Sequence, residues 1–251
     1  MESSLRVLTY NMHKGHTTGG RRYVLQDIRD AIRALSADIV FLQEVNGRHP
    51  NVIIGNGGIN TDHMSPLEAM ADQLWPYHSY GKNAAYSNGH HGNAIMSKYP
   101  IVFSENIDIS AAPFAKRGLL HAVVRPPEWS NDLHLICVHL DLFEMSRRQQ
   151  LKMIIDRVNE HVDAHCPLLL AGDFNDWWQR ATPTIRQELS LDEVFHSLMG
   201  RHMPTFPSWL PLLPLDRIYF RGLSPIRGHK VETSPWAQLS DHIPILAEFK
   251  L

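Results

Sequence analysis

Apolar and polar positions alternate in two distinct rhythms along this chain. Short apolar, β-branched-rich runs, each closed by polar or turn-forming residues, recur from end to end. They are "LRVLTYN" (5–11), "ADIVFLQE" (37–44), "GNAIMSKYP" (92–100), "IVFSENIDI" (101–109), "GLLHAVVR" (118–125), "LHLICVHL" (133–140), "PLLLAGDFN" (167–175), "LDRIYFRG" (215–222) and "IPILAEFKL" (243–251). Runs of this length and composition predict strands. Other stretches repeat every 3.6 residues. Val24, Ile28, Ala31, Ile32 and Leu35 share one face of a helix predicted over 22–36, and Leu151, Ile154, Ile155 and Val158 do so over 146–161. Ser146 stands as the N-cap of the second. "SPLEAMADQLW" (65–75) predicts a helix with Ser65 as cap and Pro66 in its first turn, and "SLDEVFHSLMG" (190–200) a short one ended by Gly200.

Strands outnumber helices about two to one, and apolar strands recur in neighbouring pairs. The pattern therefore predicts an α/β (α+β) fold in which sheets pack on each other with helices outside, rather than one parallel sheet. No repeat and no Ser/Gly/Pro linker divides the chain, so 1–251 reads as a single domain. Two long irregular loops are expected, 46–64 and 201–214, and loops of that length are usually functional or mobile.

Composition narrows the class. The 251 residues are 43% hydrophobic and 20% charged with a net charge of −2, the balance of a globular enzyme and not of a polybasic nucleic-acid binder. Cys137 and Cys166 sit in or beside apolar runs and read as buried free thiols. No apolar run is long enough to span a membrane, and the first residues lack a charged segment followed by an apolar one. A cytoplasmic protein with no obligate protein partner is expected.

The chemistry gathers at strand ends. Asn11 closes the first strand, Glu44 the second, His139 the sixth, and Asp173 with Asn175 the seventh; Asp216 opens a later strand, and Asp241 and His242 precede the last. Each taken alone is an ordinary turn former or solvated histidine. Together they place several acids at one end of a core, where a cation, a proton or a partner must accompany them. Zinc-type clusters, a G-x-S-x-G elbow and a P-loop are absent from the sequence.

Seven segments in order, "LTYNMHKG", "FLQEV", "GNAIMSKYP", "CVHLDL…RRQQ", "AGDFND", "LDRIY" and "SDHIPI", resemble the endonuclease/exonuclease/phosphatase superfamily with the DNase I-like fold. The likeness runs from about Leu5 to Phe249. "NMHKG", "GHHGNAIMSKYP" and "TFPSWLPLLPLDRIY" are most similar to small stand-alone bacterial members. The resemblance implies a four-layer sandwich of two packed mixed sheets flanked by helices, with a metal cleft at one end.

By the same resemblance, Glu44 is the principal ligand of Mg²⁺ or Mn²⁺. Asn11 lies beside it, ligating metal or holding a phosphate oxygen. Asp241 sits near the metal or orients His242, and His242 donates to a phosphate oxygen. Asp173 orients and deprotonates the attacking water, and Asn175 holds that water or the phosphate. His139 contacts the phosphate or protonates the leaving oxygen, with Asp216 orienting His139 or its neighbours. Arg147 either offers a guanidinium to the phosphate or anchors its helix. His13 occupies a position where DNA-repair branches carry an acid, so a tight second metal lacks its ligand; His13 binds phosphate or metal instead, or fills the rim. His90 and His91 are a further pair near the cleft, or polar turn residues.

The activity implied is a metal-dependent phosphodiesterase or nuclease, with DNA as the first-named substrate. A phosphatase or phosphodiesterase acting on a small or lipid-derived phosphate is the alternative. An inactive binding module fits poorly with so complete a set of polar residues. The two long loops carry only Arg48 and Arg201 as fixed cations, whereas Phe206, Trp209, Leu210, Leu212 and Leu213 crowd the second. Some of these are expected in the core, the rest in an apolar wall beside the phosphate.

Overall fold

The computed structural model describes residues 4–17, 19, 22–47, 66–71, 74–86, 89–112, 115–127, 129–231 and 233–250. The expected Ser65 cap and most of the first long loop, Arg48 included, lie outside the described residues. Among the described residues twelve strands are found: β1 (Ser4–Asn11), β2 (Ile39–Asn46), β3 (Tyr77–Tyr86), β4 (Gly89–Ser97), β5 (Ile101–Asp108), β6 (Gly118–Val124), β7 (Leu133–His139), β8 (Leu168–Asp173), β9 (Asp192–Glu193), β10 (Asp216–Arg221), β11 (Ser224–Lys230) and β12 (Ile245–Lys250). The helices are α1 (Leu25–Ala34), α2 (Pro66–Ala71), α3 (Glu144–His161), α4 (Ala181–Leu189), α5 (Val194–Met199) and α6 (Thr233–Leu239).

The strands form two mixed sheets of six, ordered β11-β12-β1-β2-β4-β3 and β5-β6-β7-β8-β10-β9. In each, one parallel pair, β1–β2 or β7–β8, sits among antiparallel neighbours. The period-2 alternation explains the layering, because both faces of the central strands are buried. Leu5, Val7, Ile39 and Phe41 point between the sheets and meet Leu135, Leu169, Ala171 and Ile218 of the other sheet. Their alternates Leu8, Tyr10, Val40 and Leu42 face outward onto Ile28 and Ile32 of α1, Met70 of α2 and Trp236 of α6. On the far side Ile136, Val138, Leu168 and Leu170 pack on Ile154 and Val158 of α3 and Ile185 of α4. Two packed sheets flanked by helices are thus the observed fold.

All nine predicted strands are present. The three not predicted, β3, β9 and β11, are edge strands or lie at a sheet's end. Their sequences, such as "YHSYGKNAAY" and "SPIRGHK", are polar because an edge faces water, and the apolar signal fades there. Helix boundaries also differ. α3 begins at Glu144, and Phe143, not Ser146, flanks it. The side chain of Gln150 on α3 accepts the Asp141 amide at 2.9 Å and so ties the incoming loop to the helix. The segment 190–200 divides into β9 and α5 because the Glu193 carboxylate accepts the His196 amide at 2.7 Å and starts the helix there; Gly200 ends it at φ +71°, as expected.

One glycine bears directly on the site. Gly172 precedes Asp173 with φ +144°, and a Cβ there would lie 1.9 Å from the Val138 carbonyl oxygen. Neither the dihedral nor the contact tolerates a side chain. Gly172→Ala is expected to lower unfolding stability by about 2–4 kcal/mol, read by urea denaturation; an unchanged midpoint would show that β7 and β8 can part without loss.

Candidate active site

Strand register assembles the site. Parallel pairing sets His139 opposite Asp173, and antiparallel pairing sets Asp216 opposite Asp173, so three neighbouring strands present His139, Asp173 and Asp216 on one rung. In the other sheet β1 ends at Asn11 against Gln43 of β2, while Asp241 and His242 lead into β12. The sheets meet at this end through Asn11, whose Nδ2 donates to Asp173 Oδ2 at 3.0 Å.

Asp173 is the centre of the cluster. Its Oδ1 accepts the Asn175 amide at 2.9 Å. Beside its Oδ2 lie His139 Nε2 at 3.5 Å and His242 Nε2 at 3.7 Å. Complete burial pushes the Asp173 carboxyl up, and although His242 opposes this, Asp216 reinforces it; the result is about 6. Burial alone would strip the charge from His242, but the Asp216 and Asp173 carboxylates outweigh it and raise the imidazole to about 10. His242 Nδ1 donates to Asp216 Oδ2 at 2.8 Å. His139 differs although it also lies near Asp173. It is fully buried, and Arg117, His242, His91 and Lys14 are all positive or can become so; its pKa is held well below the ordinary value, so the ring is neutral. One charged and one neutral imidazole therefore flank a single carboxyl.

The structure defines two orienting contacts. Of the alternatives for Asp216, His139 or its neighbours, it holds the neighbour, His242. Asp241 was expected near the metal or on His242; its Oδ1 lies 3.1 Å from His13 Nδ1. That hydrogen bond raises the His13 pKa against the desolvation that would lower it, with the Asp241 and Glu44 charges adding to the rise. For Arg147 the geometry gives the anchoring alternative. Its guanidinium donates to the carbonyl oxygens of Asp141 and Leu142 and lies over the Trp177 ring, 4.8 Å from the centroid.

Glu44 reaches this end by a bulge. Leu42 faces Ala94 and Val45 faces Gly92, so Gln43 and Glu44 oppose the single residue Asn93. Glu44 takes φ +56°, strained for a side-chain-bearing residue and a mark of functional positions. Its carboxylate acts electrostatically on both His13 and His91. His91 is buried, and desolvation lowers its pKa despite Glu44. His90 lies 2.9 Å from the Tyr80 hydroxyl. Asn175, at φ +48°, is fixed by its Nδ2 donating to the Leu140 carbonyl at 3.0 Å.

Sequence reasoning passed over the residues that position this set. The Thr205 hydroxyl accepts both the Leu215 and Asp216 amides at 3.3 Å. Ser240 Oγ donates to the Asn11 carbonyl at 2.8 Å and accepts the His242 amide at 3.2 Å. Phe206, expected in the core or in the apolar wall beside the phosphate, packs its ring 5.1 Å from that of His242 and is not one of those passed over. Hydroxyls next to turns are too common for residue type to single these out. Of the apolar loop residues, Trp209, Leu210, Leu212 and Leu213 are exposed and not core.

The profile of the Endonuclease/Exonuclease/phosphatase family matches residues 8–242, from β1 through His242. The chain belongs to this family. It is 45% identical over 249 residues to the uncharacterized protein YbhP of Escherichia coli K12, covering 99% of this chain and 97% of that one. Among solved structures it is similar to an endonuclease/exonuclease/phosphatase from Beutenbergia cavernae, with a TM-score of 0.75 and 22% identity over 99% of this chain and 72% of the other. It is also similar to D. rerio TDP2 complexed with single strand DNA product, with a TM-score of 0.73 and 16% identity over the whole of both chains. These two likenesses establish the fold. Membership in the endonuclease/exonuclease/phosphatase family makes the chain a phosphoesterase-type hydrolase. No helix among its described residues is long and apolar enough to cross a membrane.

Proposed function

We propose that this protein is a metal-dependent phosphodiesterase that cleaves P–O bonds by in-line attack of water. The observation that carries the reading is the buried Asp173 carboxyl, poised near neutrality between a neutral His139 and a charged, Asp216-held His242. Such a split of acid and base character within one cluster suits proton transfer at pH 7.

Asp173 takes the proton of the attacking water, whose oxygen bonds phosphorus as the P–O bond to the leaving alcohol breaks. The departing alkoxide takes a proton from bulk water, giving a phosphomonoester and an alcohol. His242, charged at neutral pH, donates to a non-bridging oxygen where negative charge grows. Neutral His139 donates its N–H from the opposite side. Asn175 and Asn11, each fixed by a hydrogen bond, orient water and phosphate.

The donor set fits a hard divalent cation. Ligand atoms of Asp173, Asp216 and His242 lie within 4.8 Å of one another, and Asp216 Oδ1 is buried without a hydrogen bond. A charged imidazole has no lone pair to give, however, and His242 already balances the two carboxylates. By the resemblance of the strand-end motifs, the oxygen donors Glu44, Asn11 and Asp241 are the residues that would hold Mg²⁺ or Mn²⁺. When bound, the cation polarises the phosphoryl group and stabilises the leaving oxygen. The fold likeness to a DNA-bound neighbour leaves DNA as one candidate phosphodiester.

The test is hydrolysis of an aryl phosphodiester by purified protein. Activity is expected to disappear with EDTA and to return with added Mg²⁺ or Mn²⁺ but not with metal-free buffer alone. Full activity in EDTA would overturn the metal requirement, and hydrolysis of aryl monoesters only would make the enzyme a phosphatase.

A further inference from the structure

Three of the loops that carry the proposed site follow β7, follow β8 and join α5 to β10; they bring in His139, Asp173 with Asn175, and Asp216. The six most exposed large apolar side chains among the described residues all lie on these loops or at the first turn of α3. They are Leu142, Phe143, Met145, Trp178, Trp209 and Leu212, running from 55% exposed at Leu142 to 77% at Met145; the next, Ile226, is on a distant edge strand. Exposed apolar side chains scattered singly need no explanation, but their concentration around one cleft does.

The loop bearing Trp209 and Leu212 is firmly held. Leu213 and Phe206 pair through their backbones, the Leu213 amide donating to the Phe206 carbonyl at 2.8 Å. Below them Ser208 donates through its amide to the Asp241 carbonyl and through its hydroxyl to the Ser240 carbonyl, both at 2.7 Å. Trp209 and Leu212 thus project from a loop fastened to the site itself. Positive charge accompanies the apolar groups. Arg148 and Arg180 both bond the Glu144 carboxylate; Glu144 is next in sequence to Phe143, and Arg180 is near Trp178 in the chain. Lys14 and Lys116 are exposed at the same end, near enough to His139 or its flanking Arg117 to belong to the rim.

We infer that this end of the molecule docks on an anionic phospholipid bilayer, and that the substrate is a phosphodiester in a lipid headgroup. Tryptophans with aliphatic neighbours and a fringe of cations are what an interface of headgroups and acyl chains receives. A protein partner seated on these three loops would cover the cleft. A bilayer delivers its phosphodiesters through that very surface. Phe143, Trp178 and Trp209 offer aromatic faces on which bases would stack, but half of the six, Leu142, Met145 and Leu212, are aliphatic and offer none. The substrate class rests on the phosphodiesterase reading; the docking does not.

Flotation with vesicles of phosphatidylethanolamine and phosphatidylglycerol tests both. Wild-type protein is expected to float with the vesicles, and Trp209→Ser/Leu212→Ser to partition about tenfold less or weaker. That variant should lose vesicle phospholipid hydrolysis in proportion while keeping its rate on a soluble aryl phosphodiester. Glu44→Gln should float like wild type but cleave nothing. Absence of vesicle binding, with aryl phosphodiester cleavage intact, would overturn the docking and leave the phosphodiesterase. Binding without cleavage of any phosphodiester would overturn the substrate assignment and the catalytic reading but keep the docking surface. A double variant that instead loses single-stranded DNA cleavage would overturn the bilayer in favour of nucleic acid.

Discussion

Asp173→Asn is expected to lower kcat by about 10²–10⁴, the loss that follows removal of a positioned base. Burial raises the Asp173 carboxyl toward neutrality, to about 6, and it lies against Asn11, Asn175, His139 and His242 at once. A base must be ionised, so kcat/KM should rise with pH as Asp173 loses its proton. A bound dication favours the ionised form, which places that acid limb at or below about 6. His242→Gln removes the positive charge that holds Asp173 down, and the limb should then move upward while kcat also falls. The stability effect has the opposite sign. A carboxyl raised on folding contributes stability that is full below its ordinary range and lost as pH rises through about 6. Asp173→Asn, neutral at every pH, should therefore melt at or above the wild-type temperature at pH 8. An Asn variant keeping more than about a tenth of wild-type kcat would remove Asp173 from the base role, and an unfolded one would make it structural.

Glu44→Gln should reduce activity by about 10³-fold or more at Mg²⁺ that saturates the wild type, since a neutral amide holds a hard cation poorly. The substitution keeps size and shape, and the half-buried side chain stands on a bulge that should survive it. Calorimetric titration with Mn²⁺ gives a second readout: the wild type should bind, and the variant should bind at least about tenfold more weakly. Wild-type activity of Glu44→Gln at micromolar Mg²⁺ would transfer the metal to the Asp173 and Asp216 side of the cleft.

What the sequence determined by itself was local. Alternation along "LRVLTYN", "ADIVFLQE" and "PLLLAGDFN" marks strands buried on both faces, and two buried faces demand both a second sheet and a helix layer. Polar residues at the ends of those strands had to gather where the core opens, so Asn11, Glu44, His139, Asp173, Asp216 and His242 were legible as a group. The edge strands β3 and β11 were not, because water on one side removes the apolar rhythm. Which side chain holds which was also beyond the sequence. His242 pairs with Asp216, Asp241 with His13, and Arg147 with its own loop, because a hydrogen bond depends on register and direction over a few ångströms. Apolar composition likewise left Trp209 and Leu212 open between core and surface. Only the tertiary structure, by turning their loop outward at the mouth of the site, decided that they face solvent.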